Sequence, residues 1–535
     1  MKNRSPRLSR GTRNALQRRT ASRGRRTQTA LVWFRRDLRL ADNPALSRAF
    51  ARAQQIVPVY IHAPEEDGDW APGAASRWWL HHGLEALQQS FAARGAALVV
   101  RRGPSRAALM DLIRETDAQC MCWNRLYEPA ALARDHAIEA ELRANGVEVE
   151  TANANYLFEP WEIRKDDGTP YRIYTPFARR CRNQLQIDTP LPAPGPFAPL
   201  PRPPASLPLA ALQLLPQIRW DAGLVAKWQP GEAGAHSRLQ AVATLLPDYA
   251  RQRDLPASAG TTQLSAHLHF GEMSPRQAWQ AIELAGIECG AGSLRGAEAL
   301  ERELLWREFA QHVLYHFPHT PEQPLDARFA AFPWRHSKTL LAAWQRGRTG
   351  IPIVDAGMRE LWATGGMHNR VRMIVASFLT KHAGLDWRAG SSWFWDALVD
   401  ADLASNTLNW QWVAGCGADA APYFRIFNPV LQSRKFDAAG SYLRRWLPEL
   451  AALPDRYLHE PWHAPAPVLE RANLRLGVDY PRPVLDLASA RDAALARYRR
   501  RRVKSGSAAS ARPDAGRGST ARSRTARGNA AGSGG

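Results

Sequence analysis

No run of about 18 apolar residues occurs in the 535-residue chain, so nothing in it predicts a membrane-spanning helix. Cysteine is scarce. Cys120, Cys122, Cys181, Cys289 and Cys416 have neither metal-ligand nor disulfide-framework spacing, which excludes a zinc module and predicts a reducing, cytoplasmic setting. A glycine-rich dinucleotide fingerprint is missing after the first predicted strand, so the usual doubly wound nucleotide site is not indicated. Acid is nearly missing from both ends. Residues 1–29 hold ten Lys/Arg and no Asp or Glu, and residues 497–535 hold eleven and one Asp. These stretches carry nearly all of the +21 net charge, so the folded part is not itself basic. Both are poor in large apolar residues and are expected to be disordered tails that hold polyanions weakly and salt-sensitively. The first has the Arg-rich, acid-poor composition of a transit peptide but no clear amphipathic face, which argues against targeting.

What is present begins with alternation. Short apolar runs (TALVWF, IVPVYIH, ALVVRRG, QCMCWN, VEVETANA) are separated by helical patterns over residues 30–155. That order predicts an α/β domain with a doubly wound, Rossmann-like parallel sheet covered on both faces. RRDLRLADN follows the first strand, and its Arg35, Arg36 and Asp37 read as an ion-pair network fixing the loop. Residues 156–230 lose periodicity and include TPLPAPGPFAPLPRPPASLPL, a stiff extended linker. From 231 to 496 strand signals vanish and helical stripes continue, predicting an all-α domain.

The polar residues of that second domain are placed rather than scattered. In MHNRVRMIVASFLTKHA the apolar stripe is Val371, Ile374, Val375, Phe378 and Leu379; Asn369, Arg372 and Met373 share another face, with Arg370 one residue around. Asp400, Asp402 and Asn406 follow, between WFWDALV and the aromatic pair Trp410 and Trp412. Carboxylates amid so much aromatic surface need a cation or a hydrogen-bonding ligand, and Arg372 is the evident cation for Asp400. Upstream, Thr261, Thr262, Gln263, Leu264 and Ser265 put hydroxyls and amides at a predicted helix start, an arrangement suited to an anion or to a simple cap. Glu303, Trp306 and Arg307 fall on one helical face.

The strings TGGMHNRVRM, GLDWRAG, DADLASNTLNWQW and DAAPYFRIFNP, with WFRRDLRLADNPAL and GTTQLSAHLHFGEMSPRQ upstream, resemble the DNA photolyase and cryptochrome family over residues 30 to 490. Among its members the chain looks most like the class I cyclobutane pyrimidine dimer photolyases. The resemblance implies FAD in the helical domain, with Tyr249 and the 261–265 segment on its phosphates and ribose. It also assigns Arg307, Asn369, Arg372, Asp400 and Asp402 to the flavin, with Asn406 at the reactive ring nitrogen. Trp306 would stack on a flipped-out dimer and Glu303 would hydrogen-bond it; Arg253, Asn369, Arg370, Met373, Trp412 and Arg425 complete the DNA-contacting set. Most of the 20 tryptophans are expected to be core, but Trp334, Trp387 and Trp410 align with the family's electron-transfer chain. A second, antenna chromophore (reduced folate, deazaflavin or flavin) is implied as well.

Two departures stand out. The family pattern has Trp where Gly366 stands, which predicts an opened cavity or a loosened helix start beside the flavin. Tyr127-Glu128 is followed by Pro129, Ala130 and Ala131 in place of the folate-binding Asn-Glu, and Thr320-Pro321 replaces a Cys-Lys pair. The reading that results is a cytoplasmic, nucleoid-associated monomer that repairs cyclobutane pyrimidine dimers in DNA with light. A cryptochrome-like photoreceptor and a (6-4) photolyase are the alternatives. Enzymes for the (6-4) lesion place His where this chain has Asn369 and Met373.

Overall fold

A computed structural model describes residues 27–420 and 424–509. Residues 1–26 and 510–535, most of the two expected tails, lie outside the described residues. The first domain holds strands β1 (Thr27–Phe34), β2 (Ala53–His62), β3 (Val99–Arg102), β4 (Cys120–Asn124) and β5 (Glu148–Ala152). All neighbours pair in parallel, in the order β3-β2-β1-β4-β5. The period-2 alternation of β1 explains why both faces need cover: Ala30, Val32 and Phe34 enter one core, while Leu31 and Trp33 enter the other. Helices α1 (Pro44–Arg52) and α2 (Ala74–Ala92) supply the first core; α3 (Ser105–Thr116) and α4 (Pro129–Ala144) supply the second. Asn43 caps α1 by accepting the Leu46 N–H, and Pro44 occupies its first turn.

The 156–230 stretch is not a free linker. Helix α5 (Tyr174–Gln184) packs on the helical domain, and the proline run is laid along the α/β domain through Leu191 N to Asp42 Oδ1 (2.9 Å), Phe197 N to Arg94 O (3.0 Å) and Leu207 N to Val100 O (3.0 Å). Proline cannot donate to a ladder, so only the residues between prolines make these bonds. The chain then forms α6 (Ala222–Lys227) against the helical domain. That domain includes α7 (Val242–Gln252), α8 (Ser265–His269), α9 (Leu294–His316), α10 (Pro352–Thr364), α11 (Asn369–Ser377), α12 (Trp387–Ala397), α13 (Leu403–Ala414) and α14 (Leu487–Ala509). The two tail boundaries therefore shift: Thr27–Thr29 belong to β1, and residues 497–509 continue α14. Among the described residues no helix is long and apolar enough to cross a membrane.

One arginine joins the parts. Arg39, fully buried, donates to Asp42 O, Ala154 O (2.8 Å), Gly271 O (2.8 Å) and Asn155 Oδ1 (3.2 Å), so a loop after β1, the chain after β5 and the helical domain share a single guanidinium. The RRDLRLADN network extends around it: Arg35 pairs with Asp135 at 2.7 Å and Arg36 with Glu128.

A second tie is Glu308 of α9, whose carboxylate accepts the N–H groups of Leu157 (3.0 Å) and Phe158 (3.3 Å). Burial pushes this carboxyl up to about 7, against the lowering effects of Arg307 and the two backbone N–H groups. A raised carboxyl stabilises the fold fully below its ordinary value near 4.5, and that contribution is lost as pH rises through about 7. Chemical unfolding measured across this range is expected to show the wild type losing roughly 3 kcal/mol of stability relative to Glu308→Gln as pH rises, since buried histidines add an opposite slope common to both proteins.

Candidate functional site

The polar centre of the helical domain is the pair Arg372 and Asp400. Arg372 Nη2 donates to both Asp400 oxygens, at 3.0 and 3.1 Å, and its Nε donates to Met367 O at 2.8 Å. Ser265 Oγ, at the start of α8, donates to Asp400 Oδ2 at 2.6 Å. The Asp400 side chain is only 7% exposed. Burial alone would raise its pKa; the Arg372 charge and the Ser265 hydrogen bond outweigh burial and hold it below the usual carboxylate range. Asp402, two residues on, caps α13 by accepting Ser405 N (2.8 Å) and faces His269 Nδ1 at 3.4 Å. Burial again opposes ionisation, but His269 and Arg307 hold this carboxyl far below its ordinary value.

Around the pair the site is polar and partly open. Gln263 adopts a left-handed backbone (φ 55°), and its side-chain oxygen is buried with no hydrogen-bond partner among the described residues. An orphaned buried oxygen costs about 1–3 kcal/mol, which fits a group that a ligand satisfies. Thr262 and Leu264 are buried, Thr261 is half-buried and Ser265 is exposed. Asn406 spends its NH2 on Ser391 O (3.1 Å) and Oγ (3.0 Å). Arg307 donates to Asn155 O and to Leu268 O (3.1 Å) while lying over the Tyr156 ring. Ion pair, hydroxyls, amides and orphaned oxygen together suit a ligand with phosphates, a ribose and a planar ring.

A second cluster lies at the end of α7. Arg253 Nη1 donates to Glu303 Oε1 at 2.5 Å and lies 5.6 Å from the Tyr249 ring. Next to it Arg370 donates to Asp254 at 2.8 Å. One turn beyond Glu303, Trp306 stacks on Tyr174 with centroids 3.7 Å apart and planes within 5°. Asn369 is exposed, Met373 is half-buried, and Arg425 lies 5.7 Å from the half-buried Trp412 ring.

The three aligned tryptophans occupy one apolar cluster with graded exposure: Trp410 and Trp387 are buried and Trp334 is partly buried. Trp410 lies against Gly390, one turn along α12 from Trp387. The bridge between Arg335 and Leu385 brings the Trp334 segment beside the residues that enter α12.

A cavity of about 480 Å³ lies elsewhere, at the carboxyl edge of the sheet. Trp33, Tyr60, Trp70 and Trp395 line it with Arg35 and Arg36, and Pro321 and Leu403 close it from the helical domain. Asp400, Arg372 and Asn406 are not part of its lining. Open α/β sheets bind ligands at this edge, where the strand order reverses.

Comparison with known proteins accords with this geometry. Residues 30–196 match the DNA photolyase family and residues 300–500 the FAD binding domain of DNA photolyase. A deoxyribodipyrimidine photo-lyase of Agrobacterium fabrum is 44% identical, over 88% of this chain and 98% of that protein. Cryptochrome-2 of Arabidopsis thaliana is 38% identical, over 89% and 80%. A crystal structure of a bacterial class III photolyase from Agrobacterium tumefaciens superposes with TM-score 0.86 at 44% identity, covering 90% of this chain and all of that one. The chain belongs to the DNA photolyase and cryptochrome family, and FAD is the cofactor of its helical domain.

The loss of a ring at Gly366 opens no gap there. A Cβ at Gly366 would lie 2.9 Å from the Trp228 ring, so an indole from another part of the chain already fills that position. Sequence reasoning missed Trp228, Tyr174, Asp254, His269 and Ser391. Each reaches its partner from a segment remote in the chain, and no local spacing marks it.

Asp400→Ala leaves Arg372 with a half-buried, uncompensated charge. FAD retention measured by absorbance after gel filtration is expected to fall, with a loss on the order of 3–5 kcal/mol shared between stability and binding. Retention equal to wild type would separate this pair from the cofactor.

Proposed function

We propose that the protein is a light-driven enzyme that splits cyclobutane pyrimidine dimers in DNA. The observation that carries this reading is the face shared by Glu303 and Trp306: a carboxylate held by Arg253 one turn from an indole buttressed by Tyr174. Chemistry on a stacked base requires its extrusion, and an extruded dimer needs an aromatic plane and a polar partner. Trp306 supplies the plane and Glu303 the hydrogen bond, while Arg253, Arg370, Asn369, Met373, Trp412 and Arg425 surround the entry. The flavin, when bound, reduced and excited, supplies one electron to the dimer and takes it back after splitting. Arg372 and Asp400 orient the cofactor, Thr261–Ser265 and Tyr249 hold its phosphates and ribose, and Asn406 meets its ring. Trp334, Trp387 and Trp410 relay electrons inward from the surface. The enzyme acts as a monomer in the cytoplasm, at dimer-containing DNA. The 480 Å³ cavity takes an antenna chromophore, a planar ring matched by Trp33, Trp70 and Trp395.

A signalling reading is favoured by one finding, the 38% identity to a plant cryptochrome. Repair of dimer-containing DNA under blue or near-ultraviolet light separates the two: efficient repair supports the enzyme, and none by flavin-loaded, reduced protein supports the receptor. Activity confined to (6-4) lesions would replace the assigned substrate.

Within the enzyme reading, Trp306→Ala is expected to weaken dimer-selective binding by one to two powers of ten, since stacking is worth roughly 1–3 kcal/mol per base. Glu303→Ala should lower splitting yield more than affinity, because its hydrogen bond counts most after the electron arrives. Normal binding and repair in both variants would refute the site. Trp334→Phe is expected to slow photoreduction of bound flavin while repair by chemically pre-reduced protein persists; unchanged photoreduction would mean another electron route.

A further inference from the structure

The turn between α10 and α11 is clamped from outside by α6 and the residue after it. Gly223 meets the carbonyl of Ala363 so closely that a Cβ would sit 1.9 Å from that oxygen. Leu224, fully buried, packs at Gly365, where φ is +64° and a Cβ would lie 3.3 Å from its Cγ. Lys227 Nζ donates to Thr364 Oγ1 (3.2 Å) and Glu360 (3.4 Å). Trp228 Nε1 donates to Thr364 O at 2.7 Å, and its ring occupies the space beside Gly366. The Trp228 ring also meets Trp79 of α2 edge-on at 5.6 Å, so the clamp is anchored in the α/β domain.

The clamped turn leads directly to the flavin-site ion pair. Gly365 O accepts the N–H of Val399, the residue before Asp400, at 2.8 Å. Met367 O accepts Arg372 Nε, also at 2.8 Å. Carbonyls from the two ends of one glycine-containing turn thus set the backbone beside the carboxylate and the orientation of the guanidinium. Gly365 and Gly366 leave that turn with little stiffness of its own, so its shape depends on what packs against it.

We infer that Trp228, with α6 behind it, is a positioning element for flavin binding: its ring fixes the 364–367 turn and so the register of Arg372 against Asp400. The inference rests on the flavin assignment and is independent of whether the enzyme repairs DNA. Rebinding of FAD to full-length, flavin-depleted protein, followed by flavin fluorescence, tests it beside the thermal midpoint of the depleted protein. Trp228→Ala is expected to lower that midpoint, because a packed indole is removed, and to raise the FAD dissociation constant tenfold or more at temperatures well below the lowered midpoint, where the depleted protein is fully folded. Trp228→Phe, which keeps a flat ring, should recover affinity to within about threefold. A loss smaller than tenfold in Trp228→Ala, or an equal loss in Trp228→Phe, would overturn the proposal. If Trp228→Ala does not fold, Gly366→Ala gives the answer, because its methyl would press on the ring at 2.9 Å; wild-type affinity there overturns the proposal. Wild-type protein that takes up no FAD would instead refute the flavin assignment.

Discussion

A carboxylate that is 7% exposed cannot remain ionised without a fixed cation, and this constraint organises the helical domain around Asp400 and Arg372. Meeting it draws together α8 through Ser265, the α10–α11 turn through Met367, α11 through Arg372, and the 399–402 segment that leads into α13. Neighbouring residues hold the backbone on either side: Asp402 caps α13, and Gly365 O accepts the N–H of Val399. The pair is thus both a fold constraint and a fixed charge at the centre of a polar, partly open site.

The α/β domain contributes by position rather than by charge. Its sheet presents a carboxyl edge with an aromatic-walled cavity, and the far side of that cavity is closed by Trp395 and Leu403 of the helical domain. Leu403 starts α13, the helix that carries Asn406 and Trp410. Arg39 and Trp79 lock the two domains in register: one satisfies carbonyls on both sides of the junction, and the other hydrogen-bonds Glu272 at 2.9 Å while touching Trp228.

The residues most loaded by motif, Asn369, Glu303 and Trp306, are not the most buried. Asn369 is exposed, Glu303 keeps about a third of its side chain in solvent, and Trp306 is half-buried. Under the proposed function this division is expected: groups that meet a large, transient ligand stay accessible, whereas groups that orient a resident cofactor gain from burial, as Asp400 and Asp402 would.

Much was legible in the chain itself. Alternating apolar runs determined a parallel α/β domain because strand and helix have different hydrophobic periods, and helical stripes determined the second domain for the same reason. Charge distribution separated basic ends from a near-neutral body, and MHNRVRM with DADLASN announced a buried ion pair because unpaired carboxylates are not tolerated among tryptophans. Only the tertiary structure decided that Tyr174, from a stretch without periodicity, stacks on Trp306; that the proline run lies bonded along the first domain; and that Trp228 fills the space left by Gly366. Close packing is a property of volume, not of sequence neighbourhood: a vacancy at one position is filled by whichever side chain the fold brings beside it, and that side chain can stand more than a hundred residues away.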